Sequence, residues 1–80
     1  MSREEIYEKL NEIFRDVFDD EGICLHDDTT ANDIEDWDSY GHIYLVVAIE
    51  KGFDMKITMG ETVTLKNVGE MVDLILKRKG

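Results

Sequence analysis

Residues 36–43 read Asp36-Trp37-Asp38-Ser39-Tyr40-Gly41-His42-Ile43 and divide the chain into a polar approach and an apolar helix. After them, Ile43, Val46, Ile49 and Phe53 step by 3, 3 and 4 residues, the spacing of one helix face. Leu45, Val47 and Ala48 widen that face well beyond a narrow stripe, so the helix must be covered on several sides. The spacing predicts a central helix over 39–51, with Gly52 as its C-cap. Its β-branched residues Ile43, Val46, Val47 and Ile49 lower its intrinsic propensity. Tertiary packing must hold it.

On the N-terminal side, residues 19–38 show no helical period. A loop of about twenty residues exceeds the usual limit of about 12–15 and is functional or misread. Its scattered apolar residues, Ile23, Leu25, Ala31, Ile34 and Trp37, suggest that it is pinned to a core. Earlier still, Ile6, Leu10, Ile13, Phe14, Val17 and Phe18 line one face of an amphipathic helix over 3–18. Ser2 and Glu5 form a capping box at its start. On the C-terminal side, residues 53–57 read as an extended connector and 59–63 as one short helical turn. A last helix runs over 67–79, opened by Asn67 and Glu70 and apolar at Val68, Met71, Val72, Ile75 and Leu76. The sum is one all-α domain over 1–80, a small three-to-four-helix bundle with a long first loop.

Composition narrows the function. Nineteen acidic side chains against nine basic ones leave a net charge of −10 in 80 residues. That argues against phosphate-mediated binding of DNA or RNA and for a partner with a basic surface. Eleven acids lie between Asp16 and Glu50, where there is no Lys or Arg. A lone Cys24, expected to be a small buried hydrophobe, makes no internal disulfide and no cysteine-rich zinc site. No apolar run is long enough for membrane insertion, and the charged N-terminus does not read as a signal peptide. A cytoplasmic monomer is expected. A core of this size supplies about 3–5 kcal/mol and leaves little interior for a catalytic pocket.

Ser39 stands where the loop meets the central helix, at unpaired backbone N–H groups and the positive end of the helix dipole. A phosphate ester suits that place. A plain cap, with Asp38 or Ser39 bonding the next turn, is the alternative on local grammar alone. A hydrolase elbow fails, because Trp37 stands where the leading glycine is needed and no strand precedes Ser39. A calcium loop built around Gly22 fails, because it would put Val17 at the first ligand position and Asp28 at the twelfth. No metal site is expected. An acidic, non-catalytic interaction module, such as a nucleic-acid-mimicking inhibitor, fits the charge but does not account for the Asp38-Ser39 helix start.

The whole chain resembles the acyl carrier protein family. The resemblance rests on Asp38-Ser39 at a helix start, on Asp33-Ile34 in the long loop, on Ile43-x-x-Val46-x-x-Ile49-Glu50-x-x-Phe53, and on Val68-Gly69-x-Met71-Val72. It implies that Ser39 bears a 4′-phosphopantetheine arm, placed there from coenzyme A by a phosphopantetheinyl transferase. The arm's thiol would carry acyl or aminoacyl groups as thioesters, and the protein itself would catalyse nothing. By the same resemblance Asp38 helps the transferase engage, and Glu50 meets basic patches on acyl-loading ligases or synthases. Tyr40 and His42 join these as candidate partner contacts, with His42 expected on the exposed surface. Ile43, Val47, Met71 and Ile75 are the candidate lining of an acyl-chain pocket. Tyr40 stands in place of the family's usual Leu, and Gly41 in place of a frequent Asp. Tyr44 and Lys51 stand where fatty-acid-synthesis carriers often have acids. The chain therefore looks more like free-standing carriers of specialised pathways.

Overall fold

Ser2 opens the first helix, α1 (Arg3–Val17), and its hydroxyl accepts from the Glu5 N–H while the Glu5 carboxylate accepts from the Ser2 N–H. In this computed structural model, which describes residues 1–79, three more helices follow: α2 (Ser39–Phe53), α3 (Met59–Val63) and α4 (Val68–Lys79). A single 3₁₀ turn, Ala31–Asp33, lies in the long loop. The described residues are all-helical, as the periodicity predicts. α1 packs against α2 and α4, and α3 against α2.

The core forms where the apolar faces meet. Ile6, Leu10 and Phe14 of α1, Leu45 and Ile49 of α2, and Val68, Val72 and Ile75 of α4 are fully buried. α1 and α2 lie close together at Gly52, where a Cβ would be 2.7 Å from Ile13 Cδ1. Gly52 is thus an interior helix residue, and the expected cap moves two residues on. Asp54 ends α2 in the left-handed region at φ 49°, and its N–H bonds the Glu50 carbonyl. The missing side chain at 52 serves packing, whereas spacing alone suggests a turn.

The long loop is ordered by ties to all sides. Ile23 and Leu25 are buried, while Cys24 between them is exposed. The expectation of a buried cysteine fails because extended backbone alternates its side chains. Asn11 Oδ1 accepts from the Leu25 N–H at 2.8 Å, and Arg15 Nε donates to the Ile23 carbonyl at 2.8 Å. Asp27 accepts from Arg3 and from the Tyr7 hydroxyl. These bonds, the Tyr7 hydroxyl's foremost, hold the Asp27 carboxyl below the usual carboxylate range. Burial and the same carboxylate push Tyr7 up to about 12. The loop also caps α4. Thr29 and Asp27 carbonyls accept from the Val68 and Gly69 N–H groups at 2.8 and 2.9 Å. That contact requires a glycine at 69, because a Cβ there would sit 2.9 Å from the Asp27 carbonyl oxygen.

Candidate functional site

α2 begins with a clear division of labour between neighbours. Asp38 is the cap: its Oδ1 accepts from the Gly41 N–H at 2.8 Å, and its carbonyl accepts from the His42 N–H at 2.8 Å. Ser39 is the first helical residue and is exposed. Its hydroxyl has no hydrogen-bond partner among the described residues. The first N–H groups of the helix, those of Ser39 and Tyr40, have no intrahelical acceptor. An unengaged hydroxyl therefore projects where the helix end favours an anion.

The loop before Ser39 is held against α2 at a very short distance. A Cβ on Gly41 would lie 2.5 Å from the Asp36 carbonyl oxygen and 2.9 Å from Phe18 Cε1. Trp37 wedges below this contact, edge-on to Phe14 at 5.1 Å between centroids. It is an anchor of the loop.

Trp37 also starts a chain of hydrogen bonds. Its Nε1–H donates to His42 Nδ1 at 3.0 Å. An indole nitrogen can only donate, so Nδ1 carries no proton, and the neutral ring places its hydrogen on Nε2. His42 Nε2 then donates to Thr62 Oγ1 at 2.9 Å, and the Thr62 hydroxyl donates to the Met59 carbonyl at 2.9 Å. His42 is thus half-buried and turned inward, which corrects the expectation of an exposed residue. Thr62 was not legible in sequence; a threonine in a five-residue turn carries no signal of what its hydroxyl meets.

Burial lowers the His42 pKa from its usual 6.5. The unfolded chain then binds the proton more readily than the folded one. His42's contribution to stability is present above about pH 6.5 and is lost as pH falls from there through the folded value. In an NMR titration the His42 ring should show a midpoint below 6.5; a midpoint at or above that value would contradict the inward placement.

Beside Ser39 opens a cleft of about 520 Å³. Trp37, Asp38, Ser39, His42 and Ile43 form one wall, Met59, Thr62 and Val63 of α3 the other, with Met71 inside and Thr30, Lys66 and Asn67 at the rim. The structure thus brings Ile43 and Met71 together on this cleft. It does not bring Val47 or Ile75 to it. Val47, one turn along α2, borders a shallower groove with Glu50 and Met55, and Ile75, one turn along α4, is sealed in the core. Glu50 lies about 16 Å along the helix from Ser39, half-buried, with its carboxylate 3.4 Å from the Ile57 N–H.

Four of the loop's acids take part in hydrogen bonds of the fold. Asp20, Asp27, Asp33 and Asp38 accept hydrogen bonds that shape the loop and its caps. These four are exposed, as are Asp19, Glu21, Asp28, Glu35 and Asp36. Among the described residues, no group of three or more His, Cys, Asp or Glu side chains could hold a metal ion, and no helix is long and apolar enough to cross a membrane.

Neither a family model nor a curated protein matches the chain. Among solved structures, it is similar to the solution NMR structure of a holo acyl carrier protein from Geobacter metallireducens. The two share 46% sequence identity, with 89% of this chain and 82% of that one covered, at a TM-score of 0.82. Identity at that level across most of both chains, together with a helix start that presents a free serine beside a cleft, shows that the chain belongs to the acyl carrier protein family, whose members carry rather than catalyse.

Proposed function

We propose that this protein carries acyl or aminoacyl groups as thioesters on a 4′-phosphopantetheine arm attached to Ser39. The observation that supports it most is the exposed, unbonded Ser39 hydroxyl at the start of α2, with the capping task taken by Asp38. The surroundings fit the arm. Its phosphate would meet the free N–H groups of the first turn. Its amides and methyl groups match a cleft with a polar rim at Thr30, Lys66 and Asn67 and apolar walls at Ile43 and Val63.

Attachment is a phosphoryl transfer from coenzyme A. The Ser39 oxygen bonds to the phosphorus that bears the pantetheine, and the pyrophosphate bond breaks. Adenosine 3′,5′-bisphosphate leaves with the electron pair, and the hydroxyl proton passes to the transferase. The chain's own part is to present the hydroxyl on a rigid helix end. The phosphopantetheinyl transferase and the loading ligases or synthases then dock around it. Asp38 and Tyr40 flank Ser39 and are exposed, Tyr40 by 76%, and Glu50 lies further along the same helix. Tyr44 and Val47 are exposed on α2 as well, so this face is more apolar than acidic.

Intact-mass measurement tests the assignment. With coenzyme A and a broad-specificity transferase, the protein should gain one phosphopantetheine, which fragmentation places on Ser39. No gain under conditions that modify a control carrier would sink it.

A further inference from the structure

We propose that the His42–Thr62 hydrogen bond closes the inner end of the cleft and makes this a carrier that shelters short acyl groups and leaves long saturated chains outside. The proposal rests on Ser39 being the attachment point. The bond joins α2 to α3 at 2.9 Å, and both residues line the cleft that opens at Ser39. A chain that entered from Ser39 and pushed on between the two helices would have to part them.

Four observations weigh against parting them. The bond is one member of a fully satisfied series, from Trp37 through His42 and Thr62 to the Met59 carbonyl. Thr62 is 2% exposed and its hydroxyl keeps the Met59 carbonyl, so a broken bond takes the acceptor from the half-buried His42 ring N–H. Losing that acceptor costs more than burial of the first methylene to reach the bridge returns, and further methylenes gain only where there is room to bury them. Beyond the bridge there is no space already open, since Leu45, Val46 and Ile75, one turn further along α2 and α4, are sealed in the core. α3 is also tied from its far side, where Arg78 of α4 pairs with Glu61 and donates to the Lys56 carbonyl. The outer cleft, with Ile43, Met59, Val63 and Met71, remains available to a short apolar group.

The test compares butyryl and decanoyl groups, loaded on Ser39 from the corresponding acyl-coenzyme A by a broad-specificity transferase and confirmed by intact mass. Hydroxylamine then attacks each thioester, and its rate is set against that of the free acyl-pantetheine. In the wild type the butyryl group should be protected several-fold and the decanoyl group hardly at all. Decanoyl loading should leave the amide NMR signals of Val46 and Ile75 in place. Thr62→Val keeps the side-chain shape but removes the hydroxyl, and it should raise decanoyl protection several-fold with little change for butyryl. Decanoyl protection in the wild type equal to that of butyryl, with shifts at Val46 and Ile75, overturns the proposal whether or not the variant folds. A folded Thr62→Val protein with unchanged chain-length preference overturns it too. A failure to load at all instead overturns the attachment at Ser39, and this proposal with it.

Discussion

Ser39→Ala is expected to leave the protein folded and incapable of modification. Under conditions that convert all of the wild type, its intact mass should not change. Its stability should stay within about 0.5 kcal/mol of the wild type, as for surface substitutions away from special features. The reason is the division of roles at the helix start. Asp38 accepts the Gly41 N–H, and the Ser39 hydroxyl bonds to nothing among the described residues. Asp38→Ala should show the reverse. It loses the cap, at about 1 kcal/mol, but keeps the hydroxyl proposed to take the arm. A Ser39→Ala protein that still gains the arm moves the attachment point elsewhere. One that unfolds makes Ser39 a structural residue.

Gly41→Ala should destabilise the protein even though it places a better helix former in a helix. Propensity alone would favour alanine by about 1 kcal/mol. Against it, the new methyl would sit 2.5 Å from the Asp36 carbonyl oxygen and 2.9 Å from Phe18 Cε1. Neither neighbour yields easily. One is backbone, and the other is a buried ring packed against Phe14 and Trp37. Overpacking of this kind costs about 1–3 kcal/mol, so the net effect should be a loss of up to about 2 kcal/mol. In a domain of this size each kcal/mol lowers the melting temperature by about 4–8 °C. Because the displaced carbonyl immediately precedes Trp37, the Trp37–His42 bond should loosen as well, and tryptophan emission should shift to the red. Gly60→Ala is the control. A Cβ there meets only Thr58 Oγ1, at 3.9 Å, so it should be neutral or stabilising by up to about 1 kcal/mol. Stabilisation by Gly41→Ala would refute the close approach.

These two positions show how differently the site could be read before folding. Ser39 stood out because a helix start is a local event. Hydrophobic spacing fixes where the periodic segment begins, and the residues just before it must cap it. Gly41 looked only like a departure from the family's pattern. Its purpose is the approach of Asp36 and Phe18, which lie 5 and 23 residues away in sequence and become neighbours only in the folded chain. The same holds for His42. Its position three residues after Ser39 suggested a surface side chain, but Trp37 on one side and Thr62 on the other draw it inward.

The lining of the cleft divides along the same line. Ile43 and Met71 reach it, and Val47 and Ile75 do not, although all four belong to apolar helix faces. Periodicity tells which residues share a face but not how far along that face a neighbouring helix covers it. The charge behaves likewise. Ten acids and no basic residue lie between Asp16 and Asp38, and nothing in their spacing told that Asp20, Asp27, Asp33 and Asp38 also accept hydrogen bonds that hold the loop and its caps.

By itself the sequence determined the helices, their order, the long loop and the serine at the start of α2, because each depends on interactions between residues a few positions apart. Only the tertiary structure decided which acids bond the loop, why residue 41 has no side chain, and which apolar residues line the cleft beside Ser39. Each of those depends on the distance between segments that the chain brings together from far apart, and local spacing carries no information about that distance.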